Sequence, residues 1–78
     1  MESAKDMVEF QKICRRESIM HNIKEHIKSG YTRYCTKVYD CPDWLQRELK
    51  ALGYIVERYG IDQDCIQIKW WKNGEENA

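Results

Sequence analysis

Apolar residues are spaced in two ways along this chain: in irregular helical steps up to residue 29, and after it in short alternating runs broken by one regular helical repeat of leucines. The first stretch, residues 4–29, reads as helix. Ser3 is the candidate N-cap with Asp6 three residues on, and Gly30 stands where a left-handed C-cap belongs. Its apolar positions do not form one stripe. Ile13, Met20, Ile23 and Ile27 share a face at the 3.6-residue period, whereas Met7, Phe10 and Cys14 lie well round from it. The two sets meet at Arg15-Arg16-Glu17-Ser18, where Ser18 could cap a fresh helix. The pattern therefore allows one helix of about 26 residues, about 39 Å long, or two helices jointed near Ser18.

The rest is more regular. Residues 32–39 are rich in β-branched and aromatic side chains and predict a strand. Pro42 fits the first position of a helix, with Asp40 or Cys41 as its cap and Asp43 at the positive end of the helix dipole. Leu45, Leu49 and Leu52 repeat at helical spacing before Gly53. Tyr54 to Tyr59 predicts a second strand, Gly60 to Asp64 a hairpin-length loop, and Cys65 to Trp71 a third strand. Lys72 to Ala78 is polar and expected to fray.

This order, helix, strand, helix, strand, strand, predicts a single α+β domain over residues 1–78, with residues 1–17 as a possible helical extension. The crossover between the first two strands suits a parallel, right-handed pair, and the last two strands suit an antiparallel hairpin. The expected sheet is three-stranded and mixed, with both helices on one face. Period-two alternation turns Tyr34, Thr36, Val38, Tyr54, Val56, Ile66, Ile68 and Trp70 toward the helices. It turns Arg33, Lys37, Tyr39, Ile55, Tyr59, Lys69 and Trp71 to the other face, together with Cys35, Glu57 and Gln67. That face is too aromatic for a surface that only meets water.

Charge narrows the function. Thirteen Lys and Arg balance thirteen Asp and Glu, which argues against bulk electrostatic binding to nucleic acid or to an anionic membrane. No apolar run approaches the ~20 residues of a membrane span. Residues 1–6 have neither the basic start nor the apolar stretch of a signal peptide. A cytoplasmic, reducing location is therefore expected, with the four cysteines as free thiols.

Candidate chemistry is sparse. Cys14, Cys35, Cys41 and Cys65 contain no C-x-x-C pair, and His21 and His26 are five apart, on different sides of a helix. No metal site and no cofactor are expected. Asp62-Gln63-Asp64 lacks the glycine and the distal Glu of a calcium loop and reads as turn chemistry. A thiol nucleophile at Cys35 or Cys41 would need an imidazole, and both histidines lie on the first helix, so no catalytic residue and no enzyme are expected. The glycines stand alone and form no phosphate-binding loop.

Binding remains. Arg33, Lys37 and Lys69 beside Tyr39, Tyr59 and Trp71 have the makings of a stacking platform for single-stranded nucleic acid, but Glu57 lies among them. The same aromatic and Arg enrichment marks protein interfaces. The expectation is a protein partner, anchored by Trp71 with Tyr59, Tyr39, Lys69, Arg33, Lys37 and Ile55 around it. Met7, Phe10 and Cys14 offer a second apolar surface, suited to a homodimer. Arg15-Arg16 reads as a solvated helix face.

Residues 23–70 supply a longer pattern. Ile23, Ile27 and Gly30 close a helix, Leu45, Leu49 and Leu52-Gly53-Tyr54 close another, and Val56, Ile66, Ile68 and Trp70 belong to a final hairpin. This resembles small accessory proteins of tailed bacteriophages. The resemblance implies a phage origin and a role in host takeover, defence evasion or the particle, and it carries over no catalytic residue. The segment through Glu17 lies outside it.

Overall fold

The computed structural model describes residues 1–71; the expected fraying of residues 72–78 lies outside the described residues. The chain folds as α+β: helix α1 (Ala4–Lys28), strand β1 (Arg33–Lys37), a 3-10 turn at Val38–Asp40, helix α2 (Asp43–Ala51), and strands β2 (Ile55–Tyr59) and β3 (Cys65–Lys69).

α1 is one continuous helix of 25 residues, with no joint at Ser18. No proline or glycine interrupts it, and both ends are closed. Ser3 and Asp6 form a reciprocal capping box, each side chain holding the other's backbone N–H at 3.2 Å. At the far end the Tyr31 N–H reaches the His26 carbonyl and the Gly30 N–H reaches Ile27, a Schellman motif that needs the φ of +91° at Gly30. α2 ends in the same way: Tyr54 bonds back to Leu49 and Gly53 to Lys50. Pro42 is the N-cap of α2 and not its first helical residue. Its carbonyl accepts the N–H groups of Leu45 and Gln46, so neither Asp40 nor Cys41 caps the helix.

The sheet differs from the mixed sheet that the element order suggests. Its order is β1-β3-β2, and both pairings are antiparallel. β1 and β2 do run in the same direction, but β3 lies between them. The α2 crossover leaves a gap one strand wide, and the hairpin returns β3 into it. Every strand is five residues long; the chain leaves β1 after Lys37 and β3 after Lys69, short of Tyr39 and Trp71.

Both helices cover one face. Ile19 and Ile23 of α1, Leu45 and Leu49 of α2, Ile66 and Ile68 of β3, and Cys41 form the buried core. Tyr34, Val38, Tyr54, Val56 and Trp70 pack against it, on the side that alternation assigns to them. The α1 contribution is a correction. Ile19 and Ile23 are 2% exposed, while Ile13 and Ile27 lie on the rim at 46% and 49%. Leu52 is also outside the core, as the C-cap residue of α2.

The dimensions of the elements set up the rest of the molecule. A 25-residue helix is about 38 Å long at ~1.5 Å per residue, and a five-residue strand spans about 17 Å. The sheet lies under the C-terminal half of α1, and the N-terminal half projects past it.

Candidate partner-binding surfaces

The open face of the sheet is a grid of cross-strand neighbours. Reading from β2 through β3 to β1, its rows are Tyr59–Cys65–Lys37, Glu57–Gln67–Cys35 and Ile55–Lys69–Arg33. The grid is tied within itself. Lys69 Nζ meets Glu57 Oε1 at 2.8 Å, Arg33 donates to Gln67 at 3.3 Å, and Lys37 donates to the Cys65 thiol at 3.3 Å with Asp64 at 3.7 Å. That thiol and the carboxylate beside it hold the Lys37 ammonium above its ordinary pKa. The Tyr59 phenol is held above its ordinary pKa, first by the neighbouring Cys35 thiol and then by its partial burial. The face is thus more polar than the sequence suggests.

Two of its expected aromatics belong elsewhere or at the edge. Tyr39 leaves the sheet with the 3-10 turn and is 74% exposed against the side of α1. Trp71 follows β3 in a bend and is 43% exposed. It lies past the Ile55–Lys69 pair, at the opposite end of the hairpin from Tyr59, which pairs with Cys65, so the two aromatics do not form one cluster. Trp70, one residue earlier, packs on the core. Arg33, Lys37, Lys69, Ile55 and Tyr59 share the open face as the alternation requires, and Tyr39 does not join them.

The second surface is the α1 overhang. No residue of its first fourteen is buried. Met7, Val8, Phe10 and Ile13 are 44–60% exposed, and Cys14 is an exposed thiol. Met7, Phe10 and Cys14 follow at i, i+3 and i+7, on the side of the helix turned away from Ile19 and Ile23.

The front of the overhang is clasped to the domain, and this is where Arg15-Arg16 departs from a solvated helix face. Arg16 Nε and Nη2 both donate to the Glu48 carboxylate at 2.8 Å, a bidentate pair joining α1 to α2. The bond raises the Arg16 pKa and holds the Glu48 carboxyl below the usual carboxylate range. Arg15 donates to the Tyr39 carbonyl at 3.1 Å and lies 3.8 Å from Asp40. The Arg16 guanidinium and the Lys12 ammonium stand 5.3 and 5.7 Å from the centre of the Trp44 ring. Sequence reasoning missed Trp44 as part of a site. The signal was its spacing: Trp44 and Glu48 are one turn apart at i and i+4, so one face of α2 presents an aromatic ring and a carboxylate to two cations.

The remaining chemistry-bearing groups are dispersed. All four cysteines are free; Cys41 is wholly buried, and burial pushes its thiol up to about 11. His26 is engaged by the Asn22 carbonyl at 2.9 Å and by the edge of Tyr34 at 4.8 Å. Among the described residues no three His, Cys, Asp or Glu gather as a metal site would require, and no helix is long and apolar enough to cross a membrane. No family model, curated protein or solved structure matches this chain.

Proposed function

We propose that this chain is a non-enzymatic protein-binding module: a phage-encoded accessory protein, acting in the host cytoplasm, that binds and inhibits or redirects a host or defence protein. The observation that carries the reading is the α1 overhang. Met7, Val8, Phe10 and Ile13 stay about half exposed in a chain whose core is already complete without them. Apolar groups held on a rigid, capped helix lose little entropy on binding, so their burial by a partner is retained as affinity. Trp71, past the end of β3, and Tyr59, at the turn end of β2, are two further and separate places where a partner could bury aromatic surface. On the open face Lys69 is paired with Glu57 at 2.8 Å and Lys37 is held by Cys65 and Asp64, which favours protein over nucleic acid, because phosphate contacts need unpaired Lys and Arg. A role in the particle or its assembly uses the same surfaces. The Met7, Phe10 and Cys14 stripe also suits a homodimer about a two-fold axis.

The test is capture from a bacterial lysate, with and without nuclease, with the retained proteins identified by mass spectrometry. The expected result is one protein retained after nuclease at fixed stoichiometry and lost with Phe10→Asp. Recovery of nucleic acid alone removes the reading in favour of a single-strand binder. Light scattering tests the homodimer: twice the chain mass at micromolar concentration supports it, and the mass of one chain leaves the stripe open for the partner.

A further inference from the structure

Between the front of the α1 overhang and the 3-10 turn lies a cleft of about 240 Å³. Sites for small molecules run from about 300 to 1,000 Å³, so the space suits one large side chain and is too small for a cofactor. Val8, Pro42, Tyr39 and Trp44 supply its apolar walls. Among the described residues the charged ones lining it are Lys12 and Arg15, with no carboxylate. Both cations are placed by the domain: Lys12 by the Trp44 ring at 5.7 Å, Arg15 by the Tyr39 carbonyl at 3.1 Å. Their ion-pair partners, Glu9 at 3.9 Å and Asp40 at 3.8 Å, are beyond hydrogen-bond distance, which leaves donors for an incoming anion. Asp43, at the neighbouring helix start, is committed to Arg58.

Resting on the protein-binding reading above, we infer that this cleft receives one aromatic side chain from an acidic segment of the partner, with the segment's carboxylates meeting Lys12 and Arg15. The chain's own Glu9-Phe10 has this chemistry, but it faces away from the cleft on the same helix. A second copy seated through Phe10 would join two unlike surfaces and build a ring or an open stack, not a simple two-fold dimer. The two cations of the lining select an acidic segment of a different protein as the occupant.

The probe is the capped peptide Asp-Glu-Phe-Glu-Asp, added to isotope-labelled full chain and followed by NMR. Saturable shifts are expected at the Trp44 indole N–H and at Tyr39, Lys12 and Arg15. They should be absent with Asp-Glu-Ala-Glu-Asp and with Lys-Arg-Phe-Arg-Lys. Tyr39→Ala and Lys12→Glu should each weaken binding about tenfold or more, and Trp71→Ala should leave it unchanged. Tyr39 is 74% exposed, so an unaltered melting temperature confirms that its variant is folded. Equal binding of the basic peptide, shifts confined to other residues, or no saturation at millimolar peptide overturns the assignment. So does a mass that grows past that of a dimer and is abolished by Phe10→Ala, because the occupant is then a second copy. A lysate protein retained equally by wild type, Tyr39→Ala and Lys12→Glu overturns the cleft and leaves the protein-binding reading standing.

Discussion

The two halves of α1 are built from similar residues and meet different fates. The C-terminal half buries Ile19 and Ile23 to 2% exposure against the sheet. The N-terminal half carries as many apolar side chains and buries none of them. Neither half is a better helix than the other: one is closed by a capping box and the other by a Schellman motif. What differs is whether a strand lies beneath. Hydrophobic spacing on a helix says that a side chain wants cover, and only the reach of the neighbouring elements says whether the chain provides it.

Substitutions sharpen that contrast. Ile23→Ala should cost about 2–5 kcal/mol, much of what a domain this small possesses. Phe10→Ala, on the same helix, should stay within about 0.5 kcal/mol of wild type. Denaturant unfolding of both variants checks this, and a large loss from Phe10→Ala would mean that the overhang is already covered in solution, as by a second copy.

The neighbouring tryptophans repeat the comparison at the end of β3. Trp70 packs on the core, and Trp70→Ala should destabilise by about 3 kcal/mol or more. Trp71→Ala should melt as wild type does and lower partner affinity if the sheet edge is a contact. The reverse order of melting temperatures would place Trp71 in the core.

The Arg16–Glu48 clasp marks the boundary between the halves. Glu48 is held below its ordinary pKa of 4.5 in the folded state, so its contribution is complete above that value and is lost as pH falls through the lower folded one. Glu48→Gln should therefore lie slightly below wild type in thermal melts at pH 7 and converge with it as the pH falls from 4.5 through the lower folded-state value. Both side chains are about 40% exposed, so the difference should also shrink in salt. Hydrogen exchange of Glu48→Gln should show residues 4–15 losing protection before residues 19–28.

The smallest effect is a matter of rates. Cys14 on the overhang should react with a thiol reagent at once, and Cys41 only as the chain unfolds. The Cys41 thiol, raised from 9.0 to about 11, keeps its proton in the fold after the unfolded chain has lost its own. Stability should fall as pH rises through that window, and Cys41→Ala should flatten the fall. Peptide mapping and alkaline melts read these two outcomes.

Local chemistry made most of the fold legible in advance. The caps at Ser3, Gly30 and Gly53, the three alternating runs and the α+β class all follow from nearest-neighbour physics, because a turn or a period is satisfied within a few residues. Which residues would share a surface was less legible. Alternation turns Tyr39 to the open face only if β1 runs on to residue 39, but the strand ends at Lys37 and the 3-10 turn carries Tyr39 to the helix side. The strand order, the cover on Ile19 rather than Ile13, and the meeting of Lys12, Arg15 and Arg16 with Trp44 and Glu48 depend on contacts far apart in sequence. The sequence by itself determined which segments are helix and strand and which faces are apolar. Tertiary structure alone decided which apolar face is core and which is left for a partner, because burial depends on what packs above a residue and not on the residue.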